Sequence, residues 1–188
     1  MTQNDFNQQL LAFLDRSPTP FHATRSMVEA CEAAGFELLQ ERDSWSLKPG
    51  GRYVVTRNQS SVIAFTLPEK GDATEIGFRM SGAHTDSPCL KVKTNPDQKG
   101  QGYLRLGVEV YGGALLSTWF DRDLSIAGRV SYRTASGSIK HELVDFEDLS
   151  INFCGKPMVT SRSLKLQTYR YQFNLTFPTS SAVAAAVA

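Results

Sequence analysis

A surplus of either charge is what this chain most plainly lacks. Lys and Arg number 20 against 19 Asp and Glu, so there is no electrostatic footprint for nucleic acid or an anionic membrane, and neither partner is expected. Cysteine is scarce too. Cys31, Cys89 and Cys154 lie far apart with no Cys-x-x-Cys spacing, which argues against a disulfide framework and a structural zinc knuckle and fits a cytoplasmic protein. The start, MTQNDFNQQLLAFLDRS, has no basic stretch followed by a long apolar run, so neither a secretion signal nor a membrane span is expected there. Acidic residues are absent from Ser150 to Ala188, where Lys156, Arg162, Lys165 and Arg170 supply the charge. This tail ends in TSSAVAAAVA and shows no turn chemistry or sustained alternation. It reads either as a slightly basic terminus or, more sharply, as a segment foreign to the domain before it, as a truncated or frame-shifted coding region would produce.

What is present suffices for one domain or slightly more, since 188 residues can bury a substantial core. Phe6, Leu10, Phe13 and Leu14 recur at helical spacing, which predicts an amphipathic helix over Asn4 to Arg16 with its stripe toward a core. Ser17-Pro18-Thr19-Pro20 stops it. Thr19 can cap, and Pro20 can open, a second helix that runs through Ala33 and ends at Gly35. From Phe36 the period changes, and Phe36–Leu39, Arg52–Arg57, Ser61–Leu67 and Glu75–Ser81 read as strands. Helices followed by strands indicate an α/β or α+β layered unit. Beyond Asp86 the pattern is almost wholly strand-like, over Leu90–Thr94, Tyr103–Tyr111, Leu115–Phe120, Leu124–Tyr132 and Ser138–Phe146, with turns at Gly112-Gly113 and Ser136-Gly137. Boundaries fall near Asn95 and after Leu149, giving segments 1–94, 95–149 and 150–188.

The stretch Met80 to Lys93, MSGAHTDSPCLKVK, carries the chemistry. Ile76, Phe78 and Met80 alternate with polar or small neighbours, predicting a strand that opens through Ser-Gly-Ala onto His84-Thr85-Asp86. Residues two apart on an extended chain share a face, so His84 can offer a ring nitrogen to a cation while Asp86 steadies it. A His-x-Asp triplet alone equally fits a surface turn closed by an Asx bond.

Several blocks occur in order: SPTPFHA at Ser17 to Ala23, GGRYVVTRN at Gly50 to Asn58, GAHTDSPCLKVKTNP at Gly82 to Pro96, LGVEVYGGAL at Leu106 to Leu115, and WFDRDLSIAGRV at Trp119 to Val130. Together they resemble the aspartyl aminopeptidase family of zinc metallopeptidases from about Phe6 to Leu149. The resemblance implies the N-terminal part of an α/β dinuclear-zinc exopeptidase catalytic domain, followed by part of an inserted β-rich dimerisation domain. It implies a metallo-aminopeptidase that removes N-terminal residues, acidic ones in this family, from peptide substrates through a water activated by two zinc ions. By the same resemblance His84 is a metal ligand, Asp86 is the carboxylate that orients the ligand shell, and the assembly is a homo-oligomer. The family chain is more than twice as long, and its remaining ligands are expected beyond this sequence. After Leu149 the sequence reads SINFCGKPMVTS, a departure that implies a chain inactive by itself. The alternative is a non-catalytic fragment that only associates through its β region.

Other residues carry weaker signals. His22 can pack or cap within the second helix or approach an active site, and His141, between Lys140 and Glu142, reads as a surface strand residue. Asp121 and Asp123 flank Arg122, an arrangement that suits a turn or subunit ion pairs better than a cation site. Trp119 and Phe120 are core or interface anchors, with core preferred. Cys89 reads as buried packing rather than a soft ligand or nucleophile. Gly112-Gly113 has no following Lys and no helix start, so a tight β-turn is expected there and not a phosphate loop.

Overall fold

The computed structural model describes residues 2–100, 103–120, 123–152, 158–159 and 170–176, with side chains over 2–98, 105–120 and 123–146. It divides into two compact units, Pro20–Asp86, and Met1–Thr19 with Ser87–Ala188. Asp121, Arg122, Cys154 and the terminal TSSAVAAAVA lie outside the described residues. No described helix is long and apolar enough to cross a membrane.

In the Pro20–Asp86 unit, helix α2 (Pro20–Ala33) packs on a sheet of order β1-β2-β3, formed by Glu37–Leu39, Arg52–Arg57 and Ser61–Thr66. The helix ends as its glycine predicts. Gly35 adopts φ +81°, its N–H donates to the Glu32 carbonyl at 2.9 Å, and Phe36 N–H reaches back to the Cys31 carbonyl at 3.0 Å. These are the paired bonds of a Schellman cap, which glycine enters without a Cβ penalty. Strand β2 supplies buried Tyr53, Val54 and Val55 and is central, parallel to β1 and antiparallel to β3. The Tyr53 ring lies 5.5 Å from Phe65 on β3, and its hydroxyl accepts from Lys48 N–H at 2.8 Å.

The expected strand Glu75–Ser81 does not form. Asp72 caps a short helix, α3 (Ala73–Ile76), by accepting from Thr74 N–H at 2.8 Å, and no helix or strand follows until Cys89. Ile76, Phe78 and Met80 are 62%, 73% and 92% exposed. Alternation names the faces that favour burial, but a strand also needs a neighbour for its backbone groups, and here a local side-chain bond to the backbone prevails at the start of the segment.

The second unit begins with α1 (Gln3–Asp15), held by a capping box in which Thr2 Oγ1 accepts from Asp5 N–H at 3.2 Å and Asp5 Oδ2 accepts from Thr2 N–H at 2.8 Å. None of its residues is buried, and Phe6, Leu10 and Leu14 are about half exposed. The predicted helix is therefore present, but its stripe does not face a core; local bonds sustain it instead.

The rest is a closed barrel of order β4-β5-β8-β7-β6-β9, formed by Cys89–Gly100 (β4), Tyr103–Tyr111 (β5), Asp123–Arg133 (β6), Ile139–Asn152 (β7), Met158–Val159 (β8) and Arg170–Thr176 (β9). Its core gathers Cys89, Leu90, Val92, Trp119, Leu124 and Ile126. Strand β4 shifts register between Val92 and Asp97, a span that contains Pro96. Proline has no N–H for a ladder, so a bulge accommodates it. Two departures from the sequence reading stand out. Leu115–Phe120 is no strand, because Leu116–Thr118 forms a 3-10 turn in which Thr118 Oγ1 donates to the Leu115 carbonyl at 2.8 Å. That turn sends Trp119 into the core and leaves Phe120 41% exposed, so only the tryptophan is a core anchor. Strand β9, within the tail, pairs antiparallel with both β4 and β6.

Candidate metal-binding turn

His84, Thr85 and Asp86 stand at the end of the Pro20–Asp86 unit, beyond α3 and without regular backbone structure. His84 Nδ1 lies 2.7 Å from the Asp86 carbonyl oxygen and 3.3 Å from Asp86 Oδ1. Both oxygens only accept, so Nδ1 must carry the proton. A neutral imidazole so arranged keeps its lone pair on Nε2. The single N–H is directed mainly to the nearer backbone carbonyl, with the carboxylate as a secondary acceptor. The His84 side chain is 81% exposed and that of Asp86 44%, so the ring is not buried in an apolar interior. The turn therefore combines an oriented imidazole, a fixed tautomer and a nearby carboxylate, the pattern in which an acceptor fixes a histidine's metal-binding nitrogen.

Thr85, between them, points elsewhere. Its Oγ1 donates to the Ser60 carbonyl at 2.8 Å, at the end of the turn joining β2 to β3. That turn is closed by Ser60 N–H on the Arg57 carbonyl at 3.1 Å, with Asn58 and Gln59 at φ 53° and 57°. Neither Thr85 nor this hairpin turn was expected at the site. The available signal was Asn58, a residue type that tolerates left-handed backbone and marks turns.

The other candidates separate clearly. His22 is 4% exposed, and burial, with Arg25 as the lesser cause, lowers its pKa to about 4. It is therefore neutral at neutral pH and reads as a packing residue. His141 lies exposed on β7 opposite Ser131, whose Oγ is 2.7 Å from its Nδ1, as a surface strand residue should. Cys89 is buried in the barrel core. Gly112 has φ +71° at the end of β5, which is turn geometry. Among the described residues no three His, Cys, Asp or Glu side chains gather to hold a metal ion. His84 and Asp86 thus fit one ligand arm and its orienting partner, not a whole centre.

A family model described as "Aminopeptidase I zinc metalloprotease (M18)" matches residues 13–152. The protein named "Probable M18 family aminopeptidase 2" of Pseudomonas putida strain GB-1 is 59% identical over 141 residues, covering 75% of this chain and 32% of that one. The chain therefore spans about a third of the length of the curated relatives it matches. Yeast aminopeptidase 1 shares the fold with a TM-score of 0.79 at 23% identity, over 93% of this chain and 48% of that chain. The mApe1 dodecamer of S. cerevisiae gives a TM-score of 0.73 at 28% identity, over 85% of this chain and 39% of that chain.

Proposed function

This chain belongs to the M18 family of aminopeptidase I zinc metalloproteases, and from that premise we propose that it is part of a metallo-aminopeptidase that removes N-terminal, preferentially acidic, residues from peptides. One observation carries the reading at the level of atoms: His84 Nδ1 lies 2.7 Å from the Asp86 carbonyl oxygen and 3.3 Å from its carboxylate, an arrangement that assigns the proton to Nδ1 and leaves the lone pair on Nε2 of an exposed side chain. His84 is the ligand, and Asp86 fixes the ring's tautomer and orientation. When bound, zinc would supply Lewis acidity and lower the pKa of water. We assign two zinc ions to the complete centre on the strength of the family resemblance. Their remaining ligands belong to the part of the family sequence that this chain does not span.

In the same reading residues 1–94 are the N-terminal part of the catalytic domain, 95–149 are a partial dimerisation domain, and 150–188 are an atypical tail. Barrel-mediated homo-oligomers accord with a relative solved as a dodecamer, and the cysteine usage accords with the cytoplasm. A second reading, a non-catalytic fragment that associates through its β region, draws on the exposed Val110, Leu115 and Ile139 of the barrel unit. Zinc titration followed on the imidazole NMR signals tests the first. Of the three histidines, His84 should respond selectively, and His84→Ala should abolish the response; equal zinc uptake by that variant would remove the assignment. Peptides beginning with Asp or Glu should not be turned over by this chain alone, and turnover would overturn its reading as an incomplete centre.

A further inference from the structure

We propose that Thr85 is a positioning residue for the His84 and Asp86 pair, an inference that rests on reading that pair as metal-binding. From Gly77 to Pro88 the backbone is in neither helix nor strand, so no ladder of hydrogen bonds fixes where His84 stands. Such a segment would leave a ligand's position to chance unless a side chain ties it down. Thr85 does so through its 2.8 Å bond to the Ser60 carbonyl, across 25 residues of sequence.

The anchor is tied into the sheet. Ser60 closes the turn between β2 and β3, where Arg57 pairs with Ser61, and β2 is the central strand with Val54 fully buried. The two residues before it, Asn58 and Gln59, have the positive φ values that the central pair of a tight hairpin turn takes, so the turn keeps its own geometry. Thr85 and its neighbours then divide the work. The Thr85 hydroxyl is bound to the hairpin, while His84 on one side of it bonds back to Asp86 on the other. Thr85 and Asp86 are half-buried, while the His84 side chain is 81% exposed. Holding the Cα of Thr85 fixes the span across which His84 Nδ1 reaches the Asp86 carbonyl, and with it the tautomer that leaves Nε2 for a metal.

The test is imidazole nitrogen NMR on the full chain near pH 8, where free imidazole is neutral and prefers its proton on Nε2. In the wild type His84 should carry the proton on Nδ1. Thr85→Val, close to isosteric but without the hydroxyl, should shift His84 toward the Nε2-protonated form and weaken zinc binding, followed on the same signals, by roughly tenfold. Thr85→Ser, which keeps the hydroxyl, should restore both. Thr85→Ala is read in the same way should the valine variant not fold. Retained Nδ1 protonation and zinc affinity in the hydroxyl-free variants would overturn the role of Thr85 alone. An Nε2-protonated His84 in the wild type would instead overturn the underlying pair.

Discussion

Lowering the pH from 7 toward 4 should destabilise the Pro20–Asp86 unit through His22. In the folded chain its imidazole is 4% exposed, and burial first, then Arg25, depresses its pKa from 6.5 to about 4. Once unfolded, the ring regains its ordinary value. Between about 6.5 and 4 the unfolded state therefore holds a proton that the folded state does not, and stability rises with pH across that window. The contribution is fully present above the unfolded pKa, declines as the pH falls through the window, and levels off below about 4, where both states are protonated. A fall from 6.5 to about 4 corresponds to roughly 3 kcal/mol. Urea unfolding at pH 7 and 4.5 should show the wild type losing roughly 2 to 3 kcal/mol more than His22→Gln, which cannot titrate. The variant's own stability at pH 7 does not enter, because the comparison is of slopes. A His22 proton that titrates near 6.5 by NMR, or equal slopes in the two proteins, would refute the argument.

Two further changes probe the barrel core and the end of α2. Leu90→Ala removes a side chain with 0% exposure from the barrel core and should lower stability by about 2 to 5 kcal/mol in chemical denaturation; a loss below about 1 kcal/mol would show the barrel core to be loosely packed there. Gly35→Ala meets nothing within 4 Å yet must hold φ +81°, so it should cost about 1 to 2 kcal/mol through backbone strain alone, and an unchanged unfolding midpoint would deny the left-handed cap.

How much of this was legible in the chain follows from how local each cause is. Helix α2 was readable end to end because Pro20 and Gly35 act within one turn of their own positions. Strands β2 and β3 were readable because runs rich in β-branched and aromatic residues flank the Asn58 turn. The β6–β7 hairpin was readable through Ser136-Gly137, where Gly137 takes φ +85° and its N–H donates to the Thr134 carbonyl at 2.9 Å. Strand β9 was not legible although Tyr171, Phe173 and Leu175 alternate, because its ladder partners β4 and β6 are remote in sequence and no tight turn joins it to either. Leu115–Phe120 was misread because its apolar residues satisfy a strand pattern while the Thr118 hydroxyl favours a turn.

The candidate site divides along the same line. His84 and Asp86 are two residues apart, so their proximity could be anticipated from spacing, but not that the backbone carbonyl of Asp86 would be the nearer acceptor. The Thr85 bond to Ser60 spans 25 residues and leaves no periodic trace; it required knowing that the β2–β3 turn returns beside the loop. Ile76, Phe78 and Met80 mark the limit of pattern reading. Their alternation states which faces favour cover, but not which segment supplies it, and a strand without a ladder neighbour leaves its backbone groups to water. An imidazole downstream of such a stretch can keep its orientation only through side-chain bonds. For that reason a single hydroxyl at Thr85 bears on the chemistry of His84 more than the apolar run that precedes it.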